Sequence, residues 1–279
     1  MTRNRFPAKF YAVRYAFDHL DFIQRILERR PFGLITDFDG TISETAPTPE
    51  QAKVSQLCRD YLSMLSDHLA LVAAISGRPV SQIREMIGVD GILYIGNHGL
   101  ERWREGEPEF HASSMDYPNV IEEILAELDL LLPKEGIIFE NKGITATIHY
   151  RLAPKPEQME QKILKILQAS TTAQSLRIIR GKRSLSLIPM INADKGSATV
   201  DLIREYRLRG CIYFGDDYTD IDAFRAIHTL VTDWHFQGIA IGITGPGTPE
   251  EISAEADFIL EEVGDVERFL RWMTETGLQ

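Results

Sequence analysis

Two kinds of hydrophobic pattern alternate along the chain. Short, nearly unbroken apolar runs end at polar residues, and between them apolar residues recur every three or four positions. Phe32–Thr36 (FGLIT) and Leu69–Ile75 (LALVAAI) have the length and composition of buried strands. Val54, Leu57, Cys58, Tyr61, Leu62 and Leu65 recur at helical spacing. Val80–Ile87 reads as a helix and Ile92–Ile95 (ILYI) as a strand. This βαβαβ order predicts a parallel sheet with helices on both faces. From about Trp103 to Arg180 the pattern changes. Short strands are expected at Ile137–Glu140, Ile144–Arg151 and Leu176–Arg180. Amphipathic helices lie between them, one carrying Val120, Ile121, Ile124, Leu125, Leu128, Leu131 and Leu132, the other Ile163, Leu164, Ile166 and Leu167. Hairpin strands with helices on one side suggest a separate α+β unit. After Pro189 the alternation resumes, with a helix at Ser197–Arg207, strands at Cys211–Phe214, Ile239–Ile243 and Phe258–Leu260, and a closing helix at Val266–Met273. The expected organisation is an α/β core in two parts, 1–102 with an N-terminal helix and 182–279, interrupted by an α+β domain at 103–181.

The 279 residues suffice for two modest domains and a core without disulfide staples. With 44% hydrophobic and 25% charged residues, neither wholesale disorder nor a fibre is expected. The formal charge of -11 is the wrong sign for a general nucleic-acid binder, so no nucleic-acid partner is expected. Two cysteines, Cys58 and Cys211, lack the number for a disulfide framework and the spacing for zinc, which points to a reduced, cytoplasmic chain. No run reaches the ~20 apolar residues of a membrane helix. The start, MTRNRFPAKFYAVRYAF, has two readings: a transit peptide, or a helix that packs its Phe and Tyr side chains on the domain.

The chemistry gathers at four strand ends. These are Asp37-Phe38-Asp39-Gly40-Thr41; Ser76-Gly77-Arg78; Asn192-Ala193-Asp194-Lys195-Gly196, before a helix; and Gly215-Asp216-Asp217-Tyr218-Thr219-Asp220. Ligands of open α/β sheets bind beyond the carboxyl ends of the strands. Asp37 and Asp39, two residues apart, point to one side, and Gly40 permits an immediate sharp turn. Adding Asp216, Asp217 and Asp220 gives an oxygen-rich site without nitrogen or sulfur donors, which suits Mg²⁺. An EF-hand is excluded: with Asp37 first, Ile42 would stand at its glycine and Thr48 at its last glutamate.

In this order the four segments resemble the motifs of the haloacid-dehalogenase-like phosphohydrolases. The resemblance implies a Rossmann-like core with an inserted cap domain, a phosphoryl-transfer site and Mg²⁺. Asp37 would attack phosphorus, and Asp39 would protonate the leaving oxygen and then activate water. Ser76 would hold the phosphoryl group and Lys195 would offset its charge. The metal would be held by Asp37, the backbone carbonyl of Asp39 and Asp216, with support from Asp217 or Asp220. An Asp at 39 fits a phosphatase or phosphomutase, whose leaving alcohol needs a proton.

Finer similarity is to the trehalose-6-phosphate phosphatases. It rests on Asn97-His98-Gly99-Leu100-Glu101, on Glu140-Asn141-Lys142 with His149-Tyr150-Arg151, and on GDDYTD followed by Asp222 and Phe224. The resemblance implies a small phosphorylated sugar as substrate, bound by Gly77, Arg78, His98, Glu101, Lys142, His149 and Lys182, with no obligate protein partner. His98 also reads as a hinge residue, His149 as a structural histidine, and Trp103 as a hinge anchor or a sugar platform. In Gly181–Pro189 the family's Glu and Arg are replaced by Ser186 and Ile188, and Ile221 stands where Glu is frequent. Losing a sugar-binding carboxylate leaves the chemistry better specified than the sugar. The expected activity is hydrolysis of trehalose 6-phosphate. The alternatives are another glycosyl phosphate, such as sucrose phosphate or a glycosyl-phosphoglycerate, and a non-catalytic sugar-phosphate binder.

Overall fold

The computed structural model describes residues 14–46, 48–181, 183–231 and 235–276. Residues 1–13 of the basic N-terminus, and Lys182, lie outside them; in the described part of that segment Tyr15 and Phe17 pack on the core, Phe17 edge-on to Phe269.

The core is an eight-stranded sheet. Its first six strands in spatial order are β12 (Phe258–Leu260), β11 (Gln237–Ile243), β10 (Gly210–Gly215), β1 (Phe32–Thr36), β2 (Leu71–Ile75) and β3 (Leu93–Gly96), all parallel. Two antiparallel strands complete it, β4 (Glu101–Arg104) and β5 (Glu107–Phe110). Alternation along each strand feeds two cores, one per face. Phe32, Leu34, Val72, Ala74, Ile212 and Phe214 pack on one side with the helices Leu20–Leu27, Gln56–Ser66, Val80–Ile87 and Val263–Thr276. Ile35, Ala73, Ile75, Cys211 and Tyr213 pack on the other with Lys195–Glu205 and Tyr218–Leu230. Doubly covered strands are apolar on both faces, which is why they appear as unbroken runs.

The cap is a four-stranded antiparallel sheet, in the order β6 (Ile138–Asn141), β7 (Ala146–His149), β9 (Ser184–Pro189) and β8 (Leu176–Gly181). The helices Tyr117–Leu131 and Pro156–Ala169 bury Ile121, Ile124, Leu128, Ile163 and Leu167 against it. Leu131, counted in the predicted stripe, is 52% exposed, as is Leu57 at 54%.

By sheet membership both crossings lie several residues further along the chain than the expected 103 and 182. The chain leaves the core sheet after Phe110, because β4 pairs with β3 and β5 with β4. It returns after Pro189, because β9 pairs with β7 and β8 in the cap. The β4–β5 hairpin turns on Glu105 and Gly106, whose φ values of 52° and 93° match the twist of a tight hairpin. Its outer strand, Glu-Pro-Glu-Phe, is exposed throughout. A charged, proline-bearing edge carries none of the apolar alternation that marks a strand.

Candidate active site

The β1 end is set by hydrogen bonds to its own turn. Asp37 N–H bonds to the Phe214 carbonyl on β10 at 2.8 Å, and Phe38 O accepts from Ile42 and Ser43 at 3.1 and 3.0 Å. The turn passes through Gly40 at φ 82°. A Cβ there would lie 2.1 Å from Asp216 Oδ2, so this glycine lets the carboxylate of the β10 end approach the backbone of the β1 end.

Asp37, Asp216 and Asp220 are all buried, and each offers a carboxylate oxygen within 4.8 Å of the others. Lys195 is the cation among them. Its Nζ lies 2.7 Å from Asp37 Oδ1 and 2.7 Å from Asp220 Oδ1. The helix that begins at Lys195 is anchored by a capping box in which Asp194 accepts from Ser197 N–H at 2.7 Å and Ser197 Oγ accepts from Asp194 N–H at 2.9 Å. Asp220 is bonded throughout: Oδ1 also accepts from the Tyr213 hydroxyl at 2.7 Å, and Oδ2 accepts from the backbone N–H groups of Asp216 and Asp217 at 3.1 and 3.0 Å. Burial alone would lower the Lys195 ammonium, but Asp220 and Asp37 outweigh it and keep it protonated. Burial, with the fields of Asp220 and Asp216, pushes the Asp37 carboxyl well above the usual range against the pull of Lys195. Three buried carboxylates served by one ammonium leave an excess of negative charge that a cation would relieve.

This donor set fits Mg²⁺, a hard cation that takes carboxylate oxygens and keeps several waters. Asp37 and Asp216 are the residues that would hold it. Asp220 belongs to the acidic group, but its oxygens are committed to Lys195, Tyr213 and two backbone donors. The carboxylate of Asp217 accepts from Tyr218 N–H at 2.8 Å and caps the following helix. The carboxylate of Asp39 faces elsewhere, toward Arg78.

Arg78 grips Asp39 with two bonds, Nε to Oδ2 at 2.6 Å and Nη2 to Oδ1 at 2.7 Å. The guanidinium lies over the Phe38 ring, 5.2 Å from its centre. The Arg78 side chain is 7% exposed and that of Asp39 41%. Ser76 N–H bonds to the Ile95 carbonyl at 2.9 Å, and Ser76 Oγ accepts from Arg78 N–H at 3.2 Å. His98 packs its ring on Gly77. Glu101 lies apart from the cavity. Its carboxylate accepts from Val80 N–H, the first residue of a helix, at 2.7 Å, and from the Asn97 amide at 2.5 Å. It braces the Ser76–Arg78 loop from behind and is not a cavity residue.

A cavity of about 170 Å³ lies between core and cap and brings together Asp37, Asp39, Ser76, Gly77, Arg78, His98, Lys142, His149, Lys195, Asp216 and Asp217. From the cap, Lys142 Nζ reaches the Gly77 carbonyl at 2.8 Å, and Arg151 Nη1 reaches the Ala46 carbonyl at 2.7 Å. His149 Nε2 lies 2.8 Å from Glu140 Oε2. Burial alone would raise Glu140, but His149 and Lys142 hold it below the usual carboxylate range. Ser186 Oγ is 3.3 Å from Thr147 Oγ1 in the cavity wall. Ile188 is fully buried with Leu100, Ile144 and Ala193 and lies off the cavity. Trp103 packs on the core under the Arg84 guanidinium, 4.7 Å from the ring centre, as an anchor of the hairpin.

Sequence reasoning passed over Tyr213 and Glu140 as site residues. Tyr213 reads there as one more buried aromatic of a strand. Its signal is its register, seven residues before Asp220 on the strand that ends at Gly215. Glu140 enters the sequence reading only within its motif with Lys142; the fold brings its Oε2 to 3.7 Å from Lys142 Nζ.

A family model for trehalose-phosphatase matches residues 35–244. A rice protein described as probable trehalose-phosphate phosphatase 3 is 27% identical over 258 residues, which cover 84% of this chain and 67% of that one. The trehalose-phosphate phosphatase of Mycobacterium ulcerans is 32% identical over 198 residues, 68% of this chain and 50% of its own length. The chain thus spans between half and two thirds of these two relatives. The C-terminal domain of the C. albicans trehalose-6-phosphate phosphatase superposes with a TM-score of 0.79 at 20% identity, covering 95% of this chain and 99% of that one. The family model covers most of the chain and takes in all four strand-end motifs of the cavity, and the chain belongs to the trehalose-phosphatase family.

Proposed function

We propose that the protein is a Mg²⁺-dependent phosphatase of a phosphorylated sugar, with trehalose 6-phosphate as the foremost candidate. The observation that carries this reading is the placement of Lys195 between Asp37 and Asp220 at the floor of a cavity whose roof is the cap. A buried carboxylate with an ammonium on one oxygen is a nucleophile held in place beside a charge that offsets the incoming phosphate.

Asp37 attacks phosphorus through a carboxylate oxygen and the P–O bond to the sugar breaks. The product of this step is an aspartyl phosphate. Asp39, protonated, gives its proton to the leaving sugar oxygen. In the second step Asp39 takes a proton from water as that water attacks phosphorus, which releases inorganic phosphate and restores Asp37. Ser76 and the Gly77 backbone hold the phosphoryl oxygens, and Lys195 balances their charge. When bound, Mg²⁺ supplies charge neutralisation and orientation at the phosphoryl group. Asp39 must part from Arg78 to carry its proton. The cap contacts Lys142–Gly77 and Arg151–Ala46 close the cavity over the substrate and exclude water from the leaving group.

The sugar half of the cavity is polar, with Thr147, Ser184, Ser186, Glu140 and His149 in its wall. This suits hydroxyl-rich ligands. At position 186 a single hydroxyl stands in place of a carboxylate, and a different glycosyl phosphate is the second reading on that ground. A panel of phosphorylated sugars, including trehalose 6-phosphate, at fixed Mg²⁺ tests both. Trehalose 6-phosphate is expected among the best by kcat/KM, with activity lost in EDTA and restored by Mg²⁺. Hydrolysis of none of them would refute the phosphatase, and a poor rate on trehalose 6-phosphate alone would favour the second reading.

A further inference from the structure

Asn97, His98 and Gly99 hold consecutive positive φ values of 46°, 60° and 106°. Glycine takes this region freely. Two residues with side chains are strained there, and such strain persists where the surroundings over-determine it. The surroundings here do so. Asn97 N–H bonds to the Arg78 carbonyl at 2.7 Å and His98 N–H to the Ser76 carbonyl at 2.9 Å. The Asn97 side chain donates to Glu101 and accepts from the Thr145 hydroxyl. The result is an imidazole pressed on Gly77: a Cβ at that position would lie 2.5 Å from Cε1 and 2.6 Å from Nε2. The ring forms the cavity wall together with Ser76, Lys142 and Lys195.

The two ring nitrogens differ. Nδ1 is buried and has no hydrogen-bond partner. Burial, with Lys142, Lys195 and Arg177 nearby, pushes the imidazolium well below its usual range, so the ring is neutral and carries one proton. A proton on Nδ1 would be a buried, unbonded N–H in positive surroundings. A proton on Nε2 avoids that orphaned donor and puts the N–H on the nitrogen that packs on Gly77 at the cavity wall.

We propose that His98 binds the phosphoryl group of the substrate, donating from the neutral Nε2–H to an oxygen seated on Ser76-Gly77. This rests on the phosphate site proposed above. Glycine at 77 follows from it, since any side chain there would displace the ring. An uncharged donor adds a hydrogen bond without a further cation beside Lys142 and Lys195.

The full chain, with Mg²⁺, is compared as wild type, His98→Gln, His98→Asn and His98→Ala. A Gln amide N–H reaches the place of Nε2, an Asn amide only that of Nδ1. Asn tolerates positive φ better than Gln, so a loss confined to Asn and Ala does not come from the backbone. The reading is the Kd of inorganic phosphate by calorimetry, with Tm alongside. His98→Gln is expected within ~3-fold of wild type, and His98→Asn and His98→Ala weaker by about 10- to 100-fold, the range of a hydrogen bond to a charged group. Asn binding as tightly as Gln, Gln as weakly as Ala in a folded protein, or a wild type that binds no phosphate would overturn the proposal. Phosphate affinity is read without turnover. A wild type that binds phosphate in this pattern but hydrolyses no sugar phosphate would therefore support the His98 assignment while refuting the phosphatase.

Discussion

Arg78 holds both carboxylate oxygens of Asp39, at 2.6 and 2.7 Å, so the group proposed to move protons is an ion-paired carboxylate in this structure. The pair sets the resting position of Asp39, half-exposed at the cavity, while Arg78 itself is fixed on Phe38. Asp39→Ala should lower kcat by about 10²- to 10⁴-fold, the usual worth of a general acid–base group. Arg78→Ala should cost less. If Arg78 acts through Asp39, the double variant should be no slower than Asp39→Ala alone, as for residues that work as a unit. Losses that multiply would place Arg78 on the substrate instead.

Asp220 and Tyr213 support Lys195 unequally. Asp220→Ala removes one of the two carboxylates that hold the Lys195 ammonium and leaves two backbone N–H groups without their acceptor in a buried site. It should destabilise the fold by about 3–5 kcal/mol, as breaking buried pairs does, and abolish most turnover. Tyr213→Phe removes one of four donors to the same carboxylate and should cost only about 1 kcal/mol, with kcat reduced less than tenfold. Denaturant unfolding and steady-state kinetics on both variants check the order.

The parallel core and the three strand ends that lead into Asp37, Ser76 and Asp216 were legible because they obey short-range rules. Doubly buried strands leave unbroken apolar runs, and three of them, β1, β2 and β10, end in the residues proposed to do the chemistry. The β4–β5 hairpin was not legible, because an exposed edge strand needs no apolar residues. The second crossing was misplaced because Ser184–Pro189 alternates serine with leucine like its cap neighbours, yet reads as part of a motif leading back to the core. Motif matching alone also put Glu101 on the substrate. Only the fold shows that its oxygens are spent on Val80 and Asn97.

That placement of Glu101 has a pH signature. Burial raises its pKa more than Val80 N–H and Asn97 lower it. A carboxyl raised in the folded state contributes stability that is fully present below its unfolded pKa of about 4.3 and declines as pH rises through the folded value. Glu101→Ala should be destabilised at both pH 4 and pH 7, since it orphans a buried N–H at a cost of about 1–3 kcal/mol. The gap from wild type should be wider at pH 4. Equal or reversed gaps in urea unfolding would contradict the assignment.

Ser186 is the cavity residue most open to a gain of function. Ser186→Glu would place a carboxylate in the sugar half of the cavity opposite Thr147, where it can accept from two hydroxyls. KM for trehalose 6-phosphate should fall by roughly tenfold, in the range of one added hydrogen bond to a charged group, with kcat little changed. An unchanged or higher KM would remove position 186 from the sugar contacts.

The central claim is that Asp37 is the nucleophile of a sugar-phosphate phosphatase. Its most direct test is phosphate release from trehalose 6-phosphate and related sugar phosphates, with Mg²⁺, by wild type and by Asp37→Asn, whose amide keeps the shape of the side chain but cannot attack. The account predicts Mg²⁺-dependent release by the wild type and none above background by Asp37→Asn at a comparable Tm. Near-normal turnover by Asp37→Asn, or no release from any sugar phosphate by the wild type, would contradict it.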